Sequence, residues 1–193
     1  VEYHPLKPFL SAEAKVLFLG SFPPQRKRWC MDFFYPNFIN DHWRIEGQLF
    51  FGDRNHFVLE GGKRFKLDEI VRHCEEKGLA FFDTAQAVRR LKYNASDKFL
   101  EVVEPTDIRA LLRRVPQCRV IVATGEKATH TLCQTLNIHN MPSVGKYEPI
   151  PELCSCGEQM FLYRLPSSSR AYSMSLPQKA DAYRQMFQFC GVE

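Results

Sequence analysis

Short apolar runs, each closed by a polar residue, a glycine or a proline, recur along the chain. Runs of this length between turn residues are typical of strands that are buried on both faces of a sheet. Because each run stops at a residue that favours a turn, we predict that the chain leaves the sheet there. The pattern therefore predicts four strands, over residues 15–19, 79–82, 119–123 and 160–165.

The segments between the predicted strands have the spacing of amphipathic helices. Strands that alternate with helices indicate a parallel sheet covered on both faces. We therefore predict an α/β fold, a three-layer α/β/α sandwich around a four-stranded parallel sheet, in which residues 1–193 form a single domain. The predicted helices begin near Asn40 and cover residues 67–77 (ending at Gly78), 108–114 (capped by Thr106 or Asp107), 125–136 and 177–189.

Composition narrows the class of protein. Hydrophobic residues make up 45% of the 193 residues and charged residues 25%, which is typical of a soluble globular protein. No apolar run approaches the roughly 20 residues of a membrane span, and the first residues lack the apolar core of a signal peptide. We expect a cytoplasmic protein that does not bind membranes.

The seven cysteines favour reduced thiols over disulfides or a metal site. An odd number cannot pair completely, and no secretory context supports a disulfide framework. Cys154 and Cys156 form the only close pair, and no second pair stands at the spacing of a zinc or iron–sulfur site. We expect no metal.

The net charge of +4 predicts a mild attraction to polyanions. Basic residues cluster beside three predicted loops. Each cluster taken singly is typical of a solvated surface, whereas three clusters along one edge of the fold would favour nucleic-acid binding. Both interpretations stay open for residues 26–28, for Lys63, Arg64 and Lys66, and for Arg89, Arg90 and Lys92.

In parallel sheets, ligands bind beyond the carboxyl ends of the strands, so the loops after residues 19, 82, 123 and 165 are the candidate site. The first loop reads Gly20-Ser21-Phe22-Pro23-Pro24. Its glycine permits an unusual backbone and its prolines stiffen the exit, so the loop could hold backbone N–H groups toward a ligand. An ordinary turn is the alternative.

An aromatic segment, residues 33–43, follows the first loop. Base–aromatic stacking contributes about 1–3 kcal/mol per base, so this segment could hold an extruded nucleobase. We interpret Trp43 as a packing residue and Asn40 as a functional one. For Asp41 we favour a helix cap and for His42 a packed side chain, with general acid–base work as the alternative.

The loop after the last predicted strand, Leu165 to Arg170, carries three serines. Serine hydroxyls and guanidinium groups both suit phosphate oxygens. A plain serine-rich loop is the alternative if this segment is taken alone.

Taken in order, the three segments resemble the uracil-DNA glycosylase superfamily and, within it, the hypoxanthine-DNA glycosylase-like branch. The resemblance extends from Lys15 to Phe187 and includes residues 78–84, which look like that family's base-facing strand end. It implies the same three-layer fold, no metal or coenzyme, and base flipping from DNA that contains deaminated bases. It does not extend to the iron–sulfur branches, whose cysteines this chain does not match.

The resemblance also implies roles for individual residues. Asn40 matches the catalytic asparagine of the hypoxanthine-like branch, and Ser167 and Ser168 would bind phosphates. Ser169, Arg170 and Tyr172 would fill the space of the flipped base, so the predicted DNA-binding set is Ser167, Ser168, Ser169 and Arg170. The predicted base pocket comprises Gly20, Ser21, Phe22, Pro23, Phe34 and Asp83.

Two departures from the family pattern bear on catalysis. Phe22 stands where many relatives have an aspartate or asparagine that orients water, and Leu165 stands where the best-known uracil enzymes have a histidine. We therefore predict a slow, monomeric, monofunctional DNA glycosylase that removes hypoxanthine or uracil. The alternative is a catalytically inactive module that binds damaged or single-stranded DNA. An unrelated hydrolase or nucleotide-binding protein is a third reading, but the chain lacks a nucleophile elbow, a Walker loop and a dinucleotide glycine pattern.

Overall fold

The computed structural model describes residues 1–92, 96–153 and 157–192. Two sheets and five α-helices make up this part of the chain. The strands are β1 (Glu2–Tyr3), β2 (Val16–Gly20), β3 (Leu79–Asp83), β4 (Ala85–Arg90), β5 (Leu100–Pro105), β6 (Val120–Thr124), β7 (Tyr147–Leu153) and β8 (Gln159–Leu165). The helices are α1 (His42–Phe51), α2 (Leu67–Lys77), α3 (Ile108–Arg114), α4 (Glu126–Thr135) and α5 (Leu176–Cys190).

The central sheet has the strand order β3-β2-β6-β8-β7, and its first four strands are parallel. These four are the strands that the apolar runs predict. Every residue of β2, β3 and β6 is buried, because helices cover the sheet and leave no face for polar side chains. The fold is thus the predicted α/β class, with a parallel-rich central sheet flanked by helices.

The predicted number of strands is wrong. A fifth strand, β7, pairs antiparallel with β8, and a separate antiparallel sheet has the order β1-β4-β5. The sequence pattern does not predict β7 because Pro149 and Pro151 lie within it, and proline argues against a strand. An edge strand such as β7 nevertheless tolerates proline. Strands β4 and β5 are partly exposed and carry charges, so they lack the continuous apolar run of a buried strand.

The predicted helices are confirmed to within a few residues. Gly78 ends α2 in the left-handed conformation, and the Asp107 carboxylate caps α3 by accepting from the Ala110 N–H. Ser175 and Gln178 form a reciprocal capping box at the start of α5. The predicted cap of α1 is wrong in one respect: Asp41 occupies the cap position, but its carboxylate makes no capping hydrogen bond.

In the described part of the chain, no helix is long and apolar enough to cross a membrane. The described cysteines, at positions 30, 74, 118, 133 and 190, are all unpaired thiols. The Cys154 and Cys156 pair lies outside the described residues.

Candidate active site

A cavity of about 160 Å³ opens where β2, β3, β6 and β8 reach their carboxyl ends. This volume is below the roughly 300–1,000 Å³ of pockets for drug-sized ligands, so the cavity suits one small group. The loops that the sequence singles out meet here, although they are far apart along the chain. The lining includes Gly20, Ser21, Phe22, Pro23, Phe34, Asn40, Asp83, Ser167, Ser168 and Ser169, whereas Arg170 lies outside it.

Asp83 projects from the end of β3 into this cavity, beside the backbone of Gly20. A Cβ atom placed on Gly20 would lie 2.7 Å from Oδ1 of Asp83. Real Cβ atoms do not approach an oxygen so closely, so glycine is required by the position of the carboxylate. The first glycine of the loop therefore makes room for Asp83.

Replacing Gly20 by alanine is expected to displace the Asp83 carboxylate and to lower the free energy of unfolding by about 1–3 kcal/mol, the usual cost of overpacking. The added methyl group cannot be accommodated without moving Asp83 or the β2 backbone. Denaturant titration of the purified variant measures the effect. Gly62→Ala is the matched control, because a Cβ at Gly62 meets nothing within 4 Å; equal losses in both variants would contradict this role of Gly20.

His4 holds Asp83 from the side remote from Gly20. Its Nε2 lies 2.7 Å from Oδ2 of Asp83, and its side chain is fully buried. Nδ1 of the ring lies 3.1 Å from the Leu6 N–H, which donates to it when Nε2 carries the proton. His4 thereby occupies one carboxylate oxygen and leaves the other available to the cavity.

Aromatic rings form one wall of the cavity. Phe34 stacks on Phe81 with a centroid distance of 6.0 Å, and Tyr35 stacks on His42 at 4.0 Å. The Tyr35 hydroxyl lies 2.8 Å from Oγ1 of Thr124, and burial raises the pKa of Tyr35. Tyr35 also has a φ of 51°, which is uncommon for a bulky residue and marks local strain. The wall is therefore rigidly held.

Phe22 contributes to the lining, but most of its ring is buried elsewhere. It is 8% exposed and packs in a small apolar cluster with Ala85, Val88 and Leu100. The Arg90 guanidinium lies 5.7 Å from the centre of its ring. Phe22 thus fixes the first loop onto the β1-β4-β5 sheet.

Asn40 is half-buried at the mouth of the cavity. Its Oδ1 accepts a hydrogen bond of 2.9 Å from the backbone N–H of His42, the first residue of α1. One lone pair of this oxygen and the amide N–H₂ group remain for other partners. The side chain can therefore bind a water or a ligand atom while it stays anchored to the helix.

A buried ion pair fixes the serine loop that follows β8. Nζ of Lys179 lies 3.1 Å from Oδ2 of Asp41 and donates to the Ser169 carbonyl at 2.8 Å. The Asp41 N–H donates to the Ser168 carbonyl at 2.9 Å. Asp41 and Lys179 are 5% and 1% exposed. The pair of Asp41 and Lys179 thus anchors the loop to the start of α1 and to α5.

The serines of this loop face in different directions. Ser168 is buried, and its side chain forms a hydrogen bond with Tyr183. Ser167 is half-buried, and Ser169 is exposed. Nε of Arg170 lies 3.5 Å from Oδ1 of Asp41, with half of its side chain exposed. Ser167, Ser169 and Arg170 therefore face a ligand more directly than Ser168 does.

The cavity continues into a groove on the protein surface, which we call the basic groove. Asn37, Asn40, Asp97, Ser167 and Ser169 line both. The groove is also lined by three exposed cations and two exposed apolar side chains, namely Arg28, Lys98, Arg170, Ile39 and Tyr172.

Two of the three basic clusters in the sequence contribute a residue to the cavity or the groove. Arg28 lines the groove and Arg90 lines the cavity, where it donates to the Pro23 carbonyl at 2.7 Å. Arg89 instead forms an exposed ion pair with Glu101. The cluster at Lys63, Arg64 and Lys66 lines neither the cavity nor the groove.

Asp97 is a site residue that sequence reasoning missed. The Ser21 hydroxyl donates to its Oδ1 at 2.8 Å, and burial raises its pKa above the ordinary value. It lies in a short 3-10 turn just before β5, in a polar part of the sequence that resembles an ordinary loop. His4 was missed for a similar reason, since its segment of the chain has no motif.

A buried cluster of His42, Glu46 and His73 lies below the aromatic wall. Nε2 of His73 is 2.8 Å from Oε2 of Glu46. Nε2 of His42 is also 2.8 Å from Oε1, but those two atoms lack the alignment of a hydrogen bond. Burial alone would raise the pKa of Glu46, yet the two imidazoles lower it to about 2. His42 is fully buried and lines neither the cavity nor the groove, in keeping with a packed residue.

Among the described residues, no group of three or more His, Cys, Asp or Glu side chains is placed to hold a metal ion. The cavity instead contains amide, hydroxyl and carboxylate groups beside aromatic rings. These groups can recognise a planar heterocycle and position a water molecule.

Comparison with known proteins supports the fold. No family model matches the chain, and no curated protein matches it significantly in sequence. The chain is similar to the solution structure of a "putative Uracil DNA glycosylase" from Methanosarcina acetivorans. The TM-score is 0.62, the sequence identity is 20%, and the alignment covers 98% of each chain. At this identity, the similarity shows a shared α/β fold.

Proposed function

We propose that this protein is a monofunctional DNA N-glycosylase that flips a deaminated base, hypoxanthine or uracil, out of DNA and hydrolyses its glycosidic bond. We propose further that it acts in the cytoplasm as a monomer, without metal or cofactor. The observation that carries the proposal is the cavity itself. It is large enough for one small planar group and opens directly into the basic groove.

The groove has the features that a bound DNA strand requires. Arg28, Lys98 and Arg170 supply positive charge for phosphates, and the hydroxyls of Ser167 and Ser169 can donate to phosphate oxygens. The exposed apolar side chains of Ile39 and Tyr172 are placed to enter the space that a flipped base leaves in the stack.

Hydrolysis requires a water held next to the anomeric carbon and stabilisation of the departing base. In our proposal, a flipped base packs against Phe34 and Tyr35, with the Asn40 amide at the mouth binding the water. The Phe22 backbone N–H can donate to a base carbonyl, whereas the Ser21 hydroxyl already donates to Asp97. Because an amide is not a general base, Asn40 can orient the water but cannot remove its proton.

The base edge would be read by Asp83. A carboxylate accepts hydrogen bonds and donates none when ionised, so it suits the ring N–H of a purine such as hypoxanthine. Uracil also has a ring N–H, at N3, but that group lies between two carbonyl groups that the carboxylate would repel, whereas the N1–H of hypoxanthine has one carbonyl neighbour. The proposal therefore favours hypoxanthine over uracil as the preferred base.

Asp83→Asn is expected to lower the preference for hypoxanthine over uracil by about 10- to 150-fold. This range corresponds to the about 1.5–3 kcal/mol of a hydrogen bond that involves a charged group. The ratio of kcat/KM for the two lesions measures the effect. Asp181→Asn, on the exposed face of α5, is the matched control, and an unchanged ratio in Asp83→Asn would refute the role of Asp83.

The proposed activity is tested by incubating the protein and a chelator with labelled duplexes that contain hypoxanthine, uracil or xanthine. Alkali then cleaves any abasic site. A strand break at one lesion, dependent on alkali, is the expected result. Tight DNA binding without a break at any lesion would instead support an inactive damage-binding module. The apolar Phe22 and the buried Leu165 at the usual catalytic positions favour that second candidate.

A further inference from the structure

The cavity contains a second carboxylate, Asp97, which has no role in the hydrolysis described so far. Asp97 is half-buried and lines both the cavity and the basic groove, as Asn40 does. In the proposed complex, the boundary between base pocket and DNA groove is where the sugar of a flipped nucleotide would lie. A carboxylate at this boundary is suitably placed to meet a water that attacks the sugar.

We propose that Asp97 is the general base of the reaction and takes the proton of the water that Asn40 orients. This proposal rests on the proposed glycosylase function. The C1′–N bond breaks, and its electron pair leaves with the base. The water oxygen bonds to C1′, and one water proton passes to the Asp97 carboxylate. The departing base anion takes a proton from solvent, which completes the balance.

The surroundings of Asp97 suit this role. The Ser21 hydroxyl donates to Oδ1 and fixes the carboxylate, and Oδ2 is a second acceptor oxygen. The charged groups that act on it are Asp83 at the end of β3, Arg90 in β4 and Lys127 in α4. Burial and Asp83 raise the pKa of Asp97, whereas Ser21, Lys127 and Arg90 lower it. A base of raised pKa removes a proton more effectively at neutral pH.

Asp97 also supplies what the first loop lacks. Phe22 offers no polar side chain to a water, and its ring is buried against the β1-β4-β5 sheet. The residue that precedes it, Ser21, bonds to Asp97 instead. The carboxylate thus reaches the cavity from the turn before β5 and is held there by a hydrogen bond to the first loop.

Asp97→Asn is expected to lower the single-turnover rate of base release by about 100- to 10,000-fold, the range of general acid–base catalysis. Affinity for a lesion duplex, measured by fluorescence anisotropy, is expected to stay within threefold of the wild type. Asp181→Asn is the matched control and is expected to keep the wild-type rate. Asp97→Asn with a rate within threefold of the wild type would overturn the proposal.

The pH profile distinguishes catalysis from a structural role. Because the ionised carboxylate is the active form, the wild-type rate is expected to rise with pH through the pKa of Asp97 and then level off. Asp97→Asn loses this acid limb. Ser21→Ala shifts the limb to higher pH, because the lost hydroxyl no longer stabilises the ionised form.

These profiles decide the question even if Asp97→Asn does not fold. A wild-type rate without an acid limb, or a limb that Ser21→Ala leaves in place, would overturn the role of Asp97. A wild-type protein that releases no base from any lesion would instead remove the glycosylase function itself. The two failures are therefore distinguishable.

Discussion

Asn40→Ala is expected to lower the single-turnover rate of base release by about 100- to 1,000-fold, with DNA affinity within threefold of the wild type. The amide is the group proposed to hold the water at the mouth of the cavity, and misplacing a reacting group by about 1 Å costs about 100-fold in rate. Single-turnover release from a lesion duplex measures the effect. An Asn40→Ala variant with the wild-type rate would contradict the proposed catalytic role.

The anchoring role of Asn40 must be separated from catalysis. Its Oδ1 accepts from the His42 N–H at the start of α1, so alanine also removes a bond that resembles a helix cap. Loss of a cap costs about 0.5–2 kcal/mol of stability. Asn40→Ser retains an acceptor that can bond the helix but lacks the amide, and it is expected to be as slow as alanine. Full activity in the serine variant would reduce Asn40 to a helix cap.

Glu46→Gln is expected to lower the free energy of unfolding by about 1.5–3 kcal/mol, the usual contribution of a hydrogen bond to a charged group. Glu46 is fully buried between His42 and His73, so the two imidazoles would lose their only described anionic partner. Denaturant titration at neutral pH measures the change. Glu76→Gln, on the exposed face of α2, is the matched control and is expected to change the stability little.

The pH dependence of stability gives a second readout for Glu46. Its pKa falls from an ordinary 4.5 to about 2 in the folded protein. A group with a depressed folded pKa stabilises the protein above its unfolded pKa and loses that contribution as the pH falls through the folded value. The wild-type free energy of unfolding should therefore decline between pH 4.5 and about 2. An identical decline in Glu46→Gln would show that Glu46 does not carry this effect.

The sequence predicts those parts of the site that belong to strong local patterns. Each apolar run stops at a turn residue, so the positions of Gly20, Asp83 and the serine loop follow from strand ends alone. In a parallel sheet these ends lie at one edge, which is why residues more than a hundred positions apart meet in one cavity. The role of Asn40 rests on family resemblance, since an asparagine in an aromatic segment has no distinctive spacing.

Residues that depend on long-range packing cannot be predicted in this way. His4 reaches Asp83 across 79 positions, and Lys179 reaches Asp41 across 138. Asp97 enters the cavity only because β4 and β5 pair in a second sheet beside the first loop. Charged or polar residues of this kind have the same local pattern as a solvated surface. Their function is set by the tertiary fold.

The most direct measurement is the identification of the products from a duplex that contains one hypoxanthine or uracil, incubated with the protein and a chelator. Mass spectrometry would detect the two products, which are the free base and an unbroken strand with one abasic site. Equal amounts of both, with no strand cleavage before alkali, are the predicted result for at least one lesion. An unchanged duplex that stays bound to the protein would contradict the glycosylase function and would leave a DNA-binding module of the same fold.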